Sequence, residues 1–338
     1  MSEQASITNQ KDGSVFPQAA GDSILRAALR AGVGLAYECN SGGCGGCKFE
    51  LIDGEIETLW PDAPGLSERD RRRGRHLACQ CRACGPLTIA APTAAEYVPQ
   101  RLPRRQTAQL AMLRDITHDI REFRFVSDGP ADFLPGQYAM LELPGVTGSR
   151  AYSLANTPNE QREWHFQIRR VPHGQGTHVL FDQLAVGDRI GLDGPYGMAW
   201  LRTDTPRDIV CVAGGSGLAP MLSIARGAVD AGLLGERTLY FFYGARTPRD
   251  VCGGDLLAKL GAGERIRFIP VVSLPGDDGA WRGATGYVHD QLLPQLPARL
   301  ADYEFYFAGP PPMTSALQEL LMVGHQVPFE QIHFDRFF

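Results

Sequence analysis

The segment Cys39-Asn-Ser-Gly-Gly-Cys44-Gly-Gly-Cys47 decides how the N-terminal part of this sequence folds. It has the spacing C-x4-C-x2-C, and a fourth cysteine, Cys79, follows after a long gap. This spacing is typical of a 2Fe-2S cluster held by four thiolates. The glycines between the cysteines permit positive φ angles and let backbone N–H groups turn toward the cluster sulfurs. The sequence therefore predicts an iron-sulfur site with Cys39, Cys44, Cys47 and Cys79 as ligands.

A structural zinc site is the rival interpretation of the same cysteines. Zinc ligands usually come as two short knuckles, C-x2-4-C or H-x3-5-H, and this spacing does not match them. The choice of fourth ligand is open, because two further cysteines stand close to Cys79, which is preferred for its position after a Leu-Ala pair. The other cysteines are expected to be ordinary buried or half-buried thiols without a function, namely Cys81, Cys84, Cys211 and Cys252.

Length and composition indicate a globular protein of two or three domains. The chain has 338 residues, 43% of them hydrophobic and 21% charged, with a formal net charge of -5, which gives no indication of nucleic-acid binding. Residues 1–12 lack the pattern of an export signal, and no run of 18 uncharged apolar residues occurs, so no membrane contact is expected. We expect a cytoplasmic protein, and a reducing compartment suits its eight cysteines.

Residues 1–95 are predicted to form a small α+β domain. Asp22 is expected to cap a helix with apolar residues from Ile24 to Leu29 that ends at Gly32. Asp53-Gly54 is expected to form the turn of a hairpin. Strands are predicted at 48–52, 55–59 and 87–90. Residues 96–105 lie in a proline-rich stretch that predicts a linker, and with it relative movement of the domains.

Residues 106–203 show the two-residue alternation of strands, as in Phe123 and Phe125 or Trp164 and Phe166, which predicts an antiparallel barrel. A helix is predicted at 176–184, a strand at 189–192 and a turn at 194–197. In residues 204–338 strands and helices alternate, which predicts a doubly wound parallel sheet. The predicted strands are 209–213, 238–243, 266–272 and 304–308, and the predicted helices are 219–231, 254–260 and 315–323.

Two glycine-containing turns follow predicted strands of the parallel sheet. The first, Gly214-Gly215-Ser216-Gly217-Leu-Ala-Pro220, opens onto a helix N-terminus, where backbone N–H groups can hold a pyrophosphate. It departs from G-x-G-x-x-G, and tight packing alone is the competing explanation. The second turn contains Gly309 and Pro310. Both turns would lie at the carboxyl ends of strands, where open α/β sheets bind ligands.

The short strand Arg150-Ala-Tyr152-Ser153 belongs to the predicted barrel. Alternation places Arg150 and Tyr152 on one face and Ser153 on the other. These side chains could hold a phosphate, flank a ring and donate a hydrogen bond. Taken alone, an exposed arginine beside a core tyrosine is the competing explanation.

Together these motifs resemble the ferredoxin-NADP reductase superfamily, in the iron-sulfur flavoprotein form that serves bacterial multicomponent aromatic oxygenases such as toluene monooxygenase and carbazole dioxygenase. The resemblance covers nearly the whole chain and includes four segments: 39–47, 60–65, 76–81 and 333–338. It implies a β-grasp 2Fe-2S ferredoxin domain, a β-barrel FAD domain and an NAD domain with a C-terminal tail. It also implies that electrons pass from NADH through FAD and the cluster to a terminal oxygenase or a small ferredoxin.

The resemblance also implies residue roles. In the FAD domain, Arg150 would meet the flavin phosphate, Tyr152 would flank the ring and Ser153 would hydrogen-bond near its reactive nitrogen. The set Gly174, Gly176 and Thr177 matches a turn that holds the FAD pyrophosphate. In the NAD domain, residues 214–220 and the turn at Gly309 and Pro310 would hold the nicotinamide nucleotide. Phe338 would cover the flavin, and Ala308 stands where the family often has a cysteine near the hydride path.

Several points remain open at the level of sequence. Arg246 and Arg249 could pair with the 2'-phosphate of NADPH, so the preference for NADH rests on the resemblance. A redox sensor that carries the same cofactors is the alternative function, and a flavin reductase that releases reduced flavin is a further one. A run of arginines precedes Cys79 and forms either a solvated helix face or a docking surface for an acidic partner, namely Arg69, Arg71, Arg72, Arg73 and Arg75.

Overall fold

The structure of the chain is a computed structural model, which describes residues 5–276 and 279–337. It contains an N-terminal unit (5–95), a barrel unit (104–203) and a C-terminal unit (204–337), and the predicted fold class is confirmed for each. Within the described ranges, no helix has the length and apolar character needed to cross a lipid bilayer.

The N-terminal unit is a mixed five-stranded sheet with one helix packed against it, in the strand order β2-β1-β7-β3-β5. Its elements are β1 (Ala5–Asn9), β2 (Val15–Gln18), α1 (Ile24–Arg30), β3 (Lys48–Asp53), β4 (Ile56–Thr58), α2 (Glu68–Arg72), β5 (Arg75–Leu77), β6 (Cys81–Ala83) and β7 (Leu87–Ala90). The apolar residues of α1 are buried, as predicted.

Two sequence predictions in this unit are wrong. The N-cap of α1 is Ser23, whose hydroxyl accepts from the N–H of Arg26, while the neighbouring Asp22 carboxylate is engaged by Arg30 at 2.9 Å. The expected hairpin between the strands on either side of Gly54 does not form, because β3 pairs with β5 and β7, and β4 pairs with β6. Gly54 turns the chain with a φ of 97°, but it sends the two strands into different sheets.

The barrel unit is a six-stranded antiparallel sheet in the order β11-β10-β13-β8-β9-β12. Its elements are β8 (Arg104–Asp115), β9 (Ile120–Ser127), β10 (Tyr138–Glu142), β11 (Arg150–Ser153), β12 (Glu163–Arg169), α3 (Gln175–His178) and β13 (Arg189–Tyr196). A bridge between Leu154 and Phe166 joins the first and last strands. The predicted helix is a short α3 followed by a wider helical turn, Val179–Gln183. The turn expected at 194–197 is wrong in part, because β13 runs on to Tyr196.

The C-terminal unit is a six-stranded parallel sheet in the order β17-β16-β15-β14-β18-β19. Its elements are β14 (Asp208–Gly214), α4 (Leu218–Asp230), β15 (Leu239–Ala245), α5 (Gly254–Ala258), β16 (Ile266–Val272), β17 (Ala284–Thr285), α6 (Leu292–Gln295), β18 (Tyr303–Gly309), α7 (Pro311–Gln318) and β19 (Ile332–Arg336). The sequence did not predict β19, which pairs with β18 and places residues 335–337 at the cavity where the three units meet.

The N-terminal and barrel units share one hydrophobic core. Tyr138, Met140 and Tyr196 of the barrel pack into the cluster of buried side chains that fills the N-terminal unit. Arg30 of α1 also reaches the fully buried Asp193 of β13 at 2.7 Å. This interface argues against the independent domain movement that the proline-rich stretch predicted.

Candidate functional site

The predicted cluster ligands lie at the edge of the N-terminal unit as two pairs of thiols. Backbone N–H groups of Ser41 and Cys44 donate to the Cys39 sulfur at 3.5 and 3.3 Å, and that of Gly46 donates to the Cys44 sulfur at 3.3 Å. A hydrogen bond from the Cys44 thiol, together with these amides, lowers the pKa of Cys39. In the second pair, a hydrogen bond with Cys47 and burial raise the pKa of Cys79.

This arrangement fits a two-iron cluster. In such a cluster each iron takes two thiolates, and hydrogen bonds from backbone amides to the sulfurs tune its potential. In the described residues no three His, Cys, Asp or Glu side chains are arranged to hold a metal ion, whereas paired thiols with amides directed at their sulfurs are present. The remaining cysteines are buried or half-buried, except the exposed Cys84.

A cavity of about 470 Å³ lies where all three units meet. The N-terminal unit contributes Cys39, the barrel unit Tyr152 and Ser153, and the C-terminal unit Ser216 and Phe337. The structure thus brings the cluster loop, the barrel strand β11 and the glycine turn to one place. The volume of this cavity is within the usual range for small-molecule sites, roughly 300–1,000 Å³.

The barrel wall of this cavity contains the residues that were predicted to bind flavin. Arg150, Gly174, Gly176 and Thr177 line it together with Tyr152, whose pKa burial raises to about 12. Ser153 lines the same cavity, although alternation places it on the opposite face. Ser153 is the last residue of β11.

Gly176 lets α3 pack closely against the strand β11. A Cβ atom on Gly176 would come within 3.0 Å of the Tyr152 hydroxyl and 3.2 Å of Cγ of Arg150. The Thr177 hydroxyl donates to the carbonyl of Gly174 at 3.1 Å and fixes the turn. A second cavity of about 1030 Å³ adjoins the first and shares Gly174 and Thr177 with it. Two adjoining cavities with small residues between them fit an elongated dinucleotide such as FAD.

The glycine turn of the C-terminal unit lies between the cavity shared by the three units and a smaller cavity of about 40 Å³. Ser216 lines the cavity of about 470 Å³ where the three units meet, and Gly215, with a φ of 57°, lines the small one. Gly217 serves close packing, since a Cβ there would lie 1.9 Å from the carbonyl oxygen of Ala308. Arg246 also lines the small cavity.

The second predicted turn lies against the first. A Cβ atom on Gly214 would lie 3.2 Å from Pro310 and 2.8 Å from the sulfur of Met313. Gly309 ends β18, which pairs in parallel with β14, and Pro220 is buried in the first turn of α4. These residues thus cluster at the carboxyl ends of two neighbouring strands, where a nucleotide binds in such sheets. Phe338 lies outside the described residues.

Sequence reasoning missed four residues at this junction, namely Glu38, Tyr138, Asp335 and Arg336. All four line the cavity of about 470 Å³ where the three units meet. Burial, with Glu38 and Cys39 nearby, raises the pKa of Asp335 to about 7. The only signal in the sequence was adjacency, since Glu38 precedes a predicted ligand and Asp335 lies in the C-terminal segment of the resemblance.

Three family models match consecutive parts of the chain. The 2Fe-2S iron-sulfur cluster binding domain matches residues 7–84, the oxidoreductase FAD-binding domain 107–200 and the oxidoreductase NAD-binding domain 211–319. The chain is 43% identical to ferredoxin–NAD(P)+ reductase CarAd of Metapseudomonas resinovorans over 94% of this chain and 95% of that protein. It belongs to the ferredoxin–NAD(P)+ reductases.

Other ferredoxin–NAD(P)+ reductases match over similar lengths. The ferredoxin–NAD+ reductase component of the alkene monooxygenase system of Xanthobacter autotrophicus is 41% identical, over 96% of this chain and 98% of that one. Among solved structures, the ferredoxin reductase in carbazole 1,9a-dioxygenase has a TM-score of 0.90 and 37% identity, with 99% of this chain and 98% of that chain covered. The predicted set of cofactors, a 2Fe-2S cluster, FAD and NAD, is therefore confirmed at the level of domains.

Proposed function

We propose that this chain is the reductase component of a multicomponent aromatic oxygenase and that it transfers electrons from NADH to an iron-sulfur or oxygenase partner. The observation that carries the proposal is the shared cavity. It is lined by Cys39 of the N-terminal unit, Tyr152 of the barrel unit and Ser216 of the C-terminal unit. The names of the relatives support the partner class, because they describe reductase components of oxygenase systems.

The proposed chemistry divides a two-electron input into single electrons. FAD can accept a hydride from a nicotinamide and release electrons singly, and a 2Fe-2S cluster takes one electron at a time. The chain's residues bind and orient these groups. Arg150 would pair with a flavin phosphate, Tyr152 would pack on the ring and Ser153 would donate a hydrogen bond to it. Cys39, placed on the same cavity, would bring the cluster close.

NADH is the proposed electron donor, and the alkene monooxygenase relative, named as an NAD+ reductase, supports it. Arg246 lines the small cavity, and Arg249 is 75% exposed beside Asp250. Either guanidinium could meet the 2'-phosphate of NADPH, so comparison of kcat/KM for the two nucleotides tests the preference. A kcat/KM that is higher for NADPH would contradict it.

The electron acceptor is proposed to be a terminal oxygenase or a small ferredoxin. Four arginines of the run before Cys79 are exposed, namely Arg69, Arg71, Arg72 and Arg73. Their exposure supports both the solvated helix face and the docking surface predicted from the sequence. The redox-sensor interpretation gains no support from the relatives described above. The cytoplasmic location and the three predicted boundaries, at 95/96, 105/106 and 203/204, stay predictions.

Replacement of one cluster ligand tests the proposed function. In the cofactor-loaded protein, Cys44→Ser should abolish NADH-dependent reduction of cytochrome c, a one-electron acceptor, while reduction of ferricyanide by the flavin is retained. The matched control is Cys84→Ser, because Cys84 is exposed and lies outside the four predicted ligands. If the unmodified protein showed no NADH-dependent cytochrome c reduction, the proposed function would be wrong.

A further inference from the structure

The three residues Tyr37, Glu38 and Cys39 are held from both neighbouring units. The Tyr37 hydroxyl, which is buried, accepts a hydrogen bond from the backbone N–H of Gly197 in the barrel unit at 3.0 Å. In the opposite direction, the Tyr138 hydroxyl of the barrel donates to the carbonyl oxygen of Glu38 at 2.8 Å. Each unit thus contributes one tyrosine to the interface between the N-terminal and barrel units. Both hydrogen bonds lie within two residues of Cys39, a predicted cluster ligand.

The Glu38 side chain makes a third contact, this time with the C-terminal unit. Both oxygens of its carboxylate accept from the Arg336 guanidinium, at 2.9 and 2.6 Å. This fork-to-fork geometry is the strongest form of a carboxylate–guanidinium pair. The Arg336 side chain is 30% exposed and the Glu38 side chain 23% exposed, so solvent screens the ion pair only partly.

These contacts surround the cavity that is proposed to hold the flavin. Glu38, Cys39, Tyr138 and Arg336 all line it. Tyr138 lies opposite Ser153 in the pairing of β10 with β11, so it adjoins the strand that carries the proposed flavin contacts. The ring of Tyr138 is itself fixed, because a Cβ on Gly197 would come within 2.9 Å of it. One peptide segment next to the cluster loop is therefore tied to the wall of the cavity.

We infer that Glu38 is a positioning residue for electron transfer from the cavity to the cluster. Its carbonyl is fixed by Tyr138 of the barrel unit and its carboxylate by Arg336 of the C-terminal unit, so that Cys39 keeps a constant distance from the cavity. This inference rests on the proposed function. Two electrons enter the site with each hydride from the nicotinamide, and they leave one at a time for the cluster while the proton is released. Glu38 itself gains and loses no electron.

The physical reason for such a device is that the rate of electron transfer falls steeply with distance. A shared core and Asp193 already hold the N-terminal unit on the barrel. That core reaches the far end of the cluster loop at Cys47, and Arg26 of α1 contacts Asn40 at 3.5 Å. The contacts of Glu38 act on the residue directly before Cys39. The loop contains left-handed backbone at Asn40, Gly42 and Gly45, so it needs external contacts to keep one conformation.

A double-mutant cycle tests the inference. Glu38→Gln and Arg336→Met each remove the ion pair, and in anaerobic stopped-flow mixing with NADH each should slow reduction of the cluster by a larger factor than bleaching of the flavin. The subsequent reduction of the cluster should slow by about tenfold, since small misplacements of reacting groups have effects of that order. Because both substitutions break the same contact, cluster reduction in the double variant should be no slower than in either single variant.

The matched control is Arg299→Met, which removes a surface ion pair with Asp302 in the same unit, where Arg299 is 85% exposed. It should change neither rate. A second readout does not depend on turnover. Hydrogen exchange of the loop 39–47 in the oxidised, cofactor-loaded protein should be faster in Glu38→Gln than in the unmodified protein, and unchanged in Arg299→Met.

The failure of this inference can be distinguished from failure of the proposed function. If the unmodified protein reduces its cluster with NADH and the Glu38 and Arg336 variants match it in cluster reduction and in loop exchange, the positioning role is wrong. Additive effects in the double variant would also overturn it. If the unmodified protein never reduces its cluster, the proposed function itself fails.

Discussion

The barrel unit is held on its two sides by different chemistry. On the N-terminal side, charged groups are buried: Asp193 is fully buried and is reached by Arg30 at 2.7 Å and by Arg26 at 3.5 Å. The Tyr196 hydroxyl donates to the other oxygen of the same carboxylate at 2.9 Å. Asp22 extends this network, because it pairs with Arg30 and with Arg105 of β8.

On the C-terminal side several contacts are short and involve uncharged groups. The Ser223 hydroxyl of α4 donates to the carbonyl of Asn156 at 2.6 Å and accepts from the N–H of Gly136 at 3.1 Å. A Cβ atom on Gly227 would lie 2.5 Å from the Pro135 ring. Ionisable groups also contribute: Arg226 donates to the carbonyl of Ala155 at 2.6 Å, and the His118 imidazole lies 3.7 Å from the Asp250 carboxylate.

The difference indicates where each interface is vulnerable. Buried charges need their partners, so the N-terminal side should be sensitive to loss of one carboxylate. A backbone contact through glycine has no space for extra atoms, so the C-terminal side should be sensitive to added volume. Both sides have to remain in place for the three-unit cavity to keep its shape.

The largest effect is expected from Asp193→Asn, which keeps the shape of the side chain and its contact with Tyr196 but removes the charge. The buried Arg26 and the half-buried Arg30 would then each lose one carboxylate partner. We expect the free energy of unfolding of the N-terminal unit to fall by roughly 3 kcal/mol, the lower end of the range for broken buried pairs, since Arg30 keeps Asp22. Urea unfolding followed by the visible absorbance of the cluster measures it.

Asp302→Asn is the control for that experiment. It breaks an exposed ion pair with Arg299, and such pairs contribute little. Equal midpoints for Asp193→Asn and the unmodified protein would show that the buried network does not hold the interface.

A smaller effect is expected from Gly227→Ala on the opposite side. Alanine favours a helix over glycine by up to about 1 kcal/mol, but overpacking against the rigid Pro135 ring costs about 1–3 kcal/mol. The clash should win, with a net loss of about 1 kcal/mol in thermal unfolding of the C-terminal unit. Gly235→Ala, at an open position with no heavy atom near its Cβ, should not destabilise the protein. Equal stability of the two alanine variants would contradict the account of this interface.

Much of the fold and part of the site could be predicted from the sequence because the signals were local. The spacing of Cys39, Cys44 and Cys47 and the turn at Gly214–Gly217 each lie within ten residues, and both occupy the expected places. The N-cap prediction failed by one residue, since Asp22 and Ser23 are both good caps and the carboxylate of Asp22 pairs with Arg30 at the other end of the same helix.

The junction of the three units could not be predicted. The contact between Glu38 and Arg336 spans 298 residues of sequence, and that between Glu38 and Tyr138 spans 100. No local motif and no periodicity in the sequence connects Glu38 with Arg336 or with Tyr138. The strand β19 was also missed, since Ile332–Arg336 contains charged and polar residues, and their contacts with Glu304 and Glu38 lie far away in sequence.

The central claim is that electrons from NADH reach the cluster through the cavity that the three units share. The most direct measurement is anaerobic mixing of the cofactor-loaded protein with NADH in the absence of any partner, with flavin followed by visible absorbance and the cluster by electron paramagnetic resonance. The account predicts that flavin bleaching is followed by the signal of a reduced 2Fe-2S cluster. Complete flavin bleaching with a cluster that stays oxidised would contradict it.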